Sequence, residues 1–168
     1  MKKRRKKGKA KVEKYHDRVA STYDAMYEGS RYWDLYREIT WRHLKRHLPE
    51  LGKRCLDGGC GTGLWGLRLA RCGYDVILQD ISGQMLEKAQ EKANKQGMLH
   101  RCTFLKGDFE TLEGVEDNSI ALLTAQGDPL SCVKNPQRAI GSIYRVLEPG
   151  GKAVISVDSL YGGAFYFL

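Results

Sequence analysis

Apolar side chains recur at three- and four-residue steps from Tyr15 through Val19, Tyr23 and Met26/Tyr27, the spacing that draws one stripe along an α-helix. A break at Gly29-Ser30 precedes a second stripe of Tyr32, Leu35/Tyr36, Ile39 and Leu44/Leu48, which Pro49 and Gly52 end. Taken alone, the tyrosines of these helices read as core packing. From Lys53 onward short apolar runs alternate with helical stripes. Strands are predicted from Lys53 to Leu56, from Tyr74 to Gln79 with Asp80 at the tip, over Cys102-Thr103-Phe104-Leu105, over Ile120-Ala121-Leu122-Leu123-Thr124 and from Lys152 to Val157. A near-continuous apolar run such as 120–124 suits a strand buried on both faces of a parallel sheet. Between the strands lie a helix ending at Gly73, a second capped by Ser82 and running through Lys95, and a third opened by Asn135-Pro136. Its inner stripe is Ile140, Ile143 and Val146/Leu147.

The densest local signal is Leu56-Asp57-Gly58-Gly59-Cys60-Gly61-Thr62-Gly63. A strand runs into an acid and then into four glycines, directly before a helix. Residues without a Cβ let a chain turn sharply and let a ligand lie against bare backbone N–H groups at a helix start. Gly61-Thr62-Gly63-Leu64-Trp65-Gly66 matches G-x-G-x-x-G, and Asp80 follows at the distance expected of a dinucleotide fingerprint. That fingerprint would place Asp57-Gly58-Gly59 inside the strand, where paired glycines are disfavoured. The strand is therefore expected to stop at Leu56, with the loop beginning at Asp57. A carboxylate at Asp80 presents two acceptor oxygens, which suit a vicinal diol.

Composition narrows the classes. The 168-residue chain suits one domain. No apolar run approaches the ~18 residues of a membrane span, and the basic start leads into no apolar segment of a secretory signal, so a cytoplasmic location without membrane association is expected. Five cysteines in apolar contexts and without a C-x-x-C pair point to buried, reduced thiols and away from a zinc ribbon or a disulfide framework. His43 and His47 have metal-compatible spacing but no evident third ligand, and no metal site is predicted. Residues 1–14 take nine of the chain's 28 Lys/Arg and one of its 20 Asp/Glu, leaving nineteen of each in the remainder. The net charge of +8 thus belongs to this block, which is expected to be a disordered, solvated tail. Its functional alternative is a weak, salt-sensitive contact with nucleic acid.

Read from Asp57, the glycine loop resembles motif I of class I S-adenosylmethionine-dependent methyltransferases, an acid followed by G-x-G-x-G. Gly58 stands where that family usually has a small β-branched or apolar residue. Arg18-Val19-Ala20-Ser21-Thr22-Tyr23-Asp24 resembles the V-A-x-x-Y-D segment of the ubiquinone/menaquinone-biosynthesis type. Asp80-Ile81-Ser82-Gly83-Gln84-Met85-Leu86 is similar to D-x-S-x-x-M-L, Lys106-Gly107-Asp108-Phe109 to x-G-D-x, and Tyr144-Arg145-Val146-Leu147-Glu148-Pro149-Gly150-Gly151 to Y-R-V-L-K-P-G-G. Ile120-Ala121 replaces the family's Phe-Asp. Asp128-Pro129 lies about two residues too late for an N/D-P-P-Y box and lacks its second proline and aromatic.

The resemblance covers residues 15–158. It implies an α/β, Rossmann-like, doubly wound parallel sheet in the order 3-2-1-4-5, with N-terminal helices and a three-layer sandwich. S-adenosylmethionine is the implied cofactor. Asp57 would orient its methionine end through the loop, and Gly58, Gly59, Gly61 and Gly63 would form the loop against it. Asp80 would hold the ribose, Asp108 would accept from the adenine amino group with Ile81 and Phe109 beside the ring, and Tyr23 would lid the site. Gln126 would lie near the methionine end, and Asp128, facing substrate, is the one candidate for a catalytic base. The expected reaction is methyl transfer to a small-molecule acceptor. Alternatives are an RNA methyltransferase using the basic tail, and a non-catalytic cofactor-binding or scaffold protein. The family normally adds a further helix and two antiparallel strands after strand five. Either the sequence is a fragment of the domain or a partner, such as a second copy in a homodimer, covers the strand-five edge; Tyr161, Phe165, Tyr166 and Phe167 look made for burial.

Overall fold

The computed structural model describes the backbone of residues 2–158 and the side chains of residues 10–158. Two helices, α1 (Lys2–Val19) and α2 (Arg31–Lys45), precede a regular alternation of strand and helix. The alternation comprises β1 (Arg54–Gly58), α3 (Leu64–Arg71), β2 (Asp75–Asp80), α4 (Gly83–Lys95), β3 (Cys102–Lys106), β4 (Ile120–Ala125), α5 (Pro129–Cys132), α6 (Pro136–Val146) and β5 (Leu147–Ile155). The five strands form one parallel sheet in the order β3-β2-β1-β4-β5. This is the expected doubly wound order, in which the first crossover runs to one side of β1 and a later one to the other. The change of direction leaves a crevice at the carboxyl ends of the strands.

Two apolar layers sandwich the sheet. On one face Cys55, Leu69, Val76, Leu78, Leu86 and Ala89 form a core under α3 and α4. On the other, Leu56, Leu112, Val115, Leu123, Ile143 and Val146 pack together. Every residue of β4 is buried, as a central parallel strand requires. Caps follow the sequence signals: the Ser82 side chain accepts from the Met85 N–H, and Asn135 accepts from Arg138. Gly73, at φ +96°, terminates α3.

Three boundaries differ from expectation. Helix α1 extends from the Tyr15–Val19 stripe back through the basic block to Lys2; Lys and Arg are good helix formers, and their mutual repulsion weakens a helix without forbidding one. Strand β1 continues through Asp57 and Gly58, which pair with Leu78 and Gln79 of β2. A glycine is needed there. A Cβ on residue 58 would lie 2.3 Å from Cε2 of the Phe109 ring, so the bare backbone accommodates an aromatic side chain. Strand β5 begins at Leu147 instead of Lys152, because Leu147 already pairs with Ile120 and the next pair is Leu122 with Lys152. Glu148-Pro149-Gly150-Gly151 bulges between them. A Cβ on Gly151 would come within 2.8 Å of the Glu148 carbonyl oxygen and 2.9 Å of that of Ile120. Tyr161, Phe165, Tyr166 and Phe167 lie outside the described residues.

Candidate active site

The crevice holds a cavity of about 530 Å³, within the roughly 300–1,000 Å³ usual for small-molecule sites. Strand tips and the loops after them build one side, and α1, α2 and their connection close the other. Of the residues singled out in the sequence, Tyr23, Gly59, Gly61, Asp80, Ile81, Asp108, Phe109, Gln126 and Asp128 all line it. Five segments separated in sequence are thereby brought to one space.

Asp80 is the electrostatic centre. Only 5% exposed, it accepts from the Gly61 N–H on Oδ2 and from the Ser82 N–H on Oδ1, each at 2.8 Å. Burial raises its pKa, while these two N–H groups and the charge of His16 oppose the rise. A carboxylate offers about four acceptor positions; the Gly61, Ser82 and Ile81 N–H groups engage three of them, which leaves about one for a ligand hydroxyl.

The glycine loop works differently from expectation. Its N–H groups at residues 59–61 are not bare: Gly59 donates to Gln79 Oε1 at 3.3 Å, Cys60 to the Gln79 carbonyl at 2.9 Å and Gly61 to Asp80. Gln79, a buried glutamine whose amide also donates to the Gly107 carbonyl at 2.6 Å, ties the loop to the β3 tip. The loop still forms cavity wall through Gly59 and Gly61, and a Cβ on Gly61 would be in van der Waals contact with Tyr23 Cε1, at 3.8 Å.

Asp57, Gly58 and Gly63 do not line the cavity. The Asp57 carboxylate points into the fold and accepts from the Gly66 N–H at 2.7 Å, anchoring α3. Burial pushes its pKa up to about 7, against the lowering effect of that N–H, with the Asp80 charge adding to the rise. Its register partner Thr124 keeps a buried hydroxyl without a hydrogen-bond partner among the described residues. Gly63 adopts φ +86° at the start of α3, with Ala89 and Leu78 crowding the place of its missing Cβ. Phe109 fills the space that Gly58 leaves, so its ring belongs to the wall and the core together. Asp108 accepts from the Glu110 N–H at 2.9 Å and so shapes the β3 tip turn. Gln126 donates to the Val154 carbonyl at 2.8 Å. Asp128, at φ +64°, sits where Ser156 Oγ accepts from its own N–H and that of Gly127. Burial, outweighing the Ser156 hydrogen bond, raises the Asp128 pKa, and Asp158 contributes to the rise.

The N-terminal segment is fastened over this crevice. Thr62 Oγ1 donates to Asp24 at 2.7 Å, and Lys92 pairs with the same carboxylate at 2.5 Å. Ser82 Oγ donates to Asp17 at 2.5 Å, and Lys106 pairs with Glu13 at 2.8 Å. Tyr27, Tyr32, Trp33, Tyr36 and Arg37 complete the wall. Sequence reasoning read the tyrosines among them as core packing and missed Trp33, Gln79, Asp17 and Arg37. Periodicity placed the stripe but does not say whether a stripe faces protein or a ligand.

A parallel sheet in the order 3-2-1-4-5, with a glycine turn after β1 and acids at the tips of β2 and beyond β3, defines the class I S-adenosylmethionine-dependent methyltransferase fold. The comparisons agree. Residues 55–151 match the family model described as a methyltransferase domain, and the chain belongs to that family. It is 28% identical over 149 residues to a tRNA 5-carboxymethoxyuridine methyltransferase of Escherichia coli, covering 87% of this chain and 57% of the relative. It is 32% identical over 150 residues to a 2-phytyl-1,4-naphtoquinone methyltransferase of Nostoc punctiforme, covering 86% and 63%. Among solved structures it is similar to the [4+2]-cyclase SpnF (TM-score 0.76, 27% identity, covering 86% of this chain and 58% of that one). It is also similar to a Haemonchus contortus phosphoethanolamine N-methyltransferase 2 in complex with phosphomonomethylethanolamine and S-adenosylhomocysteine (TM-score 0.64, 28%, covering 77% and 31%). The chain spans less than two thirds of the length of these relatives. The methyl donor of the family is S-adenosylmethionine. The residues present suit it, with Gly61 lining the cavity beside a buried carboxylate that keeps an acceptor position. Among the described residues no helix is long and apolar enough to cross a membrane, and no group of His, Cys, Asp and Glu is arranged to hold a metal ion.

Proposed function

We propose that this domain binds S-adenosylmethionine in the strand-tip cavity and transfers its methyl group to a small-molecule acceptor. The observation that carries the reading is Asp80, buried at the β2 tip and lining the cavity beside Gly61, from whose N–H it accepts. On this reading Asp80 accepts from the ribose hydroxyls and Asp108 from the adenine amino group. Ile81 and Phe109 border the adenine, and Tyr23 covers the cofactor. Burial, followed by the neighbouring Tyr27, raises the Tyr23 phenol and keeps it neutral. Asp57 acts one step removed, by holding the first turn of α3. When bound, the cofactor supplies a methyl group on a sulfonium leaving group. The remaining task of the chain is to exclude water and align the acceptor. Gln126 and Asp128, at the carboxyl end of β4, stand on the acceptor side, and Asp128 is the candidate to take a proton from an acceptor that must lose one.

An RNA acceptor is the second reading. It is favoured by the nine basic residues of positions 1–14 and by α1, whose Val12 and His16 line the same cavity. The name of the Escherichia coli relative agrees with it. Incubation with methyl-labelled S-adenosylmethionine and, separately, a dialysable metabolite fraction and an RNA fraction distinguishes the two. Label in the metabolite fraction that Asp80→Ala abolishes supports the proposal. Label confined to RNA moves it to the second reading. Cofactor binding with label in neither fraction returns the chain to the class of non-catalytic cofactor-binding proteins.

A further inference from the structure

The wall contributed by α2 and the segment before it has a chemistry of its own. Tyr23 meets Tyr27 edge to face (centroids 5.1 Å, 66°), Tyr27 meets Trp33 (4.7 Å, 81°), and Trp33 meets Tyr36 (5.5 Å, 81°). All four rings line the cavity that Asp80 and Gly61 enter. The run therefore starts beside the glycine loop and leads outward to Tyr32, 67% exposed at the mouth. A core needs no such exposed continuation. Aromatic rings set edge to face leave ring faces uncovered, and an incoming planar ring completes the herringbone with a gain beyond its buried area.

Arg37 lies on the same helix face, one turn after Trp33, and lines the same cavity. Its guanidinium has five N–H donors. Among the described residues it uses two, each in a long contact of 3.3 Å, to the Tyr27 carbonyl and to Asp34 Oδ1. Asp34 is 66% exposed, whereas the Arg37 side chain is 29% exposed, so their ion pair is the weak, screened kind. Asp24 and Asp80 are engaged with Thr62 and Lys92, and with the Gly61 and Ser82 N–H groups, and do not compete for Arg37. A half-shielded guanidinium facing a cavity favours a carboxylate or phosphate, with charge-assisted and often bidentate hydrogen bonds.

We propose that the acceptor is a planar aromatic molecule bearing an anionic group, its ring held against Tyr27, Trp33 and Tyr36 and its anion received by Arg37. This rests on the methyl-transfer reading of the cavity and adds the substrate class to it. An aromatic carboxylic acid and a nucleotide share that chemistry.

Calorimetry on the chain saturated with S-adenosylhomocysteine tests it with two matched pairs of probes, 2-naphthoate against 2-naphthamide and uridine 5′-monophosphate against uridine. In at least one pair the anionic member is expected to bind at least about tenfold more tightly. The naphthyl pair points to an aromatic acid and the uridine pair to a nucleotide. Arg37→Gln is expected to erase the preference while leaving affinity for S-adenosylhomocysteine unchanged, and Arg37→Lys to keep part of it. Equal binding within both pairs, or a preference that survives in Arg37→Gln, overturns the proposal. So does an Arg37→Gln variant that loses S-adenosylhomocysteine affinity, which would make the residue a brace for Tyr27. Failure of the unsubstituted chain to bind S-adenosylhomocysteine is a separate readout and overturns the methyl-transfer reading itself.

Discussion

Asp57→Asn isolates the electrostatic cost of the residue that opens the glycine motif. The Asp57 carboxyl is 1% exposed and accepts from the Gly66 N–H. Burial lifts its pKa from 3.8 to about 7. In the folded state the proton is thus held more tightly than in the unfolded chain. Between those two values the folded protein binds more protons, so stability falls as pH rises through the window. The stabilising effect is complete below about pH 4 and lost above about pH 7. At 1.36 kcal/mol per pH unit, the gap corresponds to about 4 kcal/mol. An asparagine keeps an oxygen for Gly66 and does not titrate. Whatever fixed cost its amide carries is the same at every pH and cancels when the difference between the two proteins is followed.

Urea unfolding of both proteins at a series of pH values from 4 to 8 measures that difference. The variant is expected to gain about 4 kcal/mol relative to the parent across the window, equivalent to about 8–16 °C in Tm for a domain of this size. Other carboxylates titrate in both proteins and drop out. Parallel stability curves would show that Asp57 is ionised in the folded state at ordinary carboxylate pH, and would refute the account of how the motif is held.

Two further outcomes follow from the geometry. Asp80→Asn replaces one of two acceptor oxygens by a donor and removes the charge; affinity for S-adenosylhomocysteine is expected to fall about ten- to a hundredfold, the loss of a hydrogen bond to a charged group, and an unchanged Kd by calorimetry would remove Asp80 from the ribose. Gly58→Ala drives a methyl into the Phe109 ring, whose nearest atom lies 2.3 Å from the Cβ position; overpacking of this kind costs about 1–3 kcal/mol, and a second substitution, Phe109→Leu, is expected to restore part of the lost Tm, whereas a full additive loss in the double variant would place the strain elsewhere.

What could be read from the chain was set by short-range rules. The βαβ alternation, the tips at Asp80 and Asp108, the Ser82 and Asn135 caps and the Gly73 stop each depend on a few neighbouring residues, because backbone geometry, capping and hydrophobic period are local. The site residues placed after apolar runs reach the cavity for the same reason: in a parallel sheet every strand delivers its carboxyl end to one edge. The extent of β1 was not readable, since a glycine pair is disfavoured in a strand until Phe109, fifty-one positions after Gly58, supplies a ring that needs the space. Nor was the fate of the loop N–H groups, which are taken up by Gln79 and Asp80 on the adjacent strand. Periodicity marks the tyrosines of the first two helices as inward-facing and is silent on what lies inside. By itself the sequence determined which elements form and in what order. Only the tertiary structure decided that Tyr27, Trp33, Tyr36 and Arg37 face a cavity and not a core, because that depends on where α2 settles against strand tips distant in the chain.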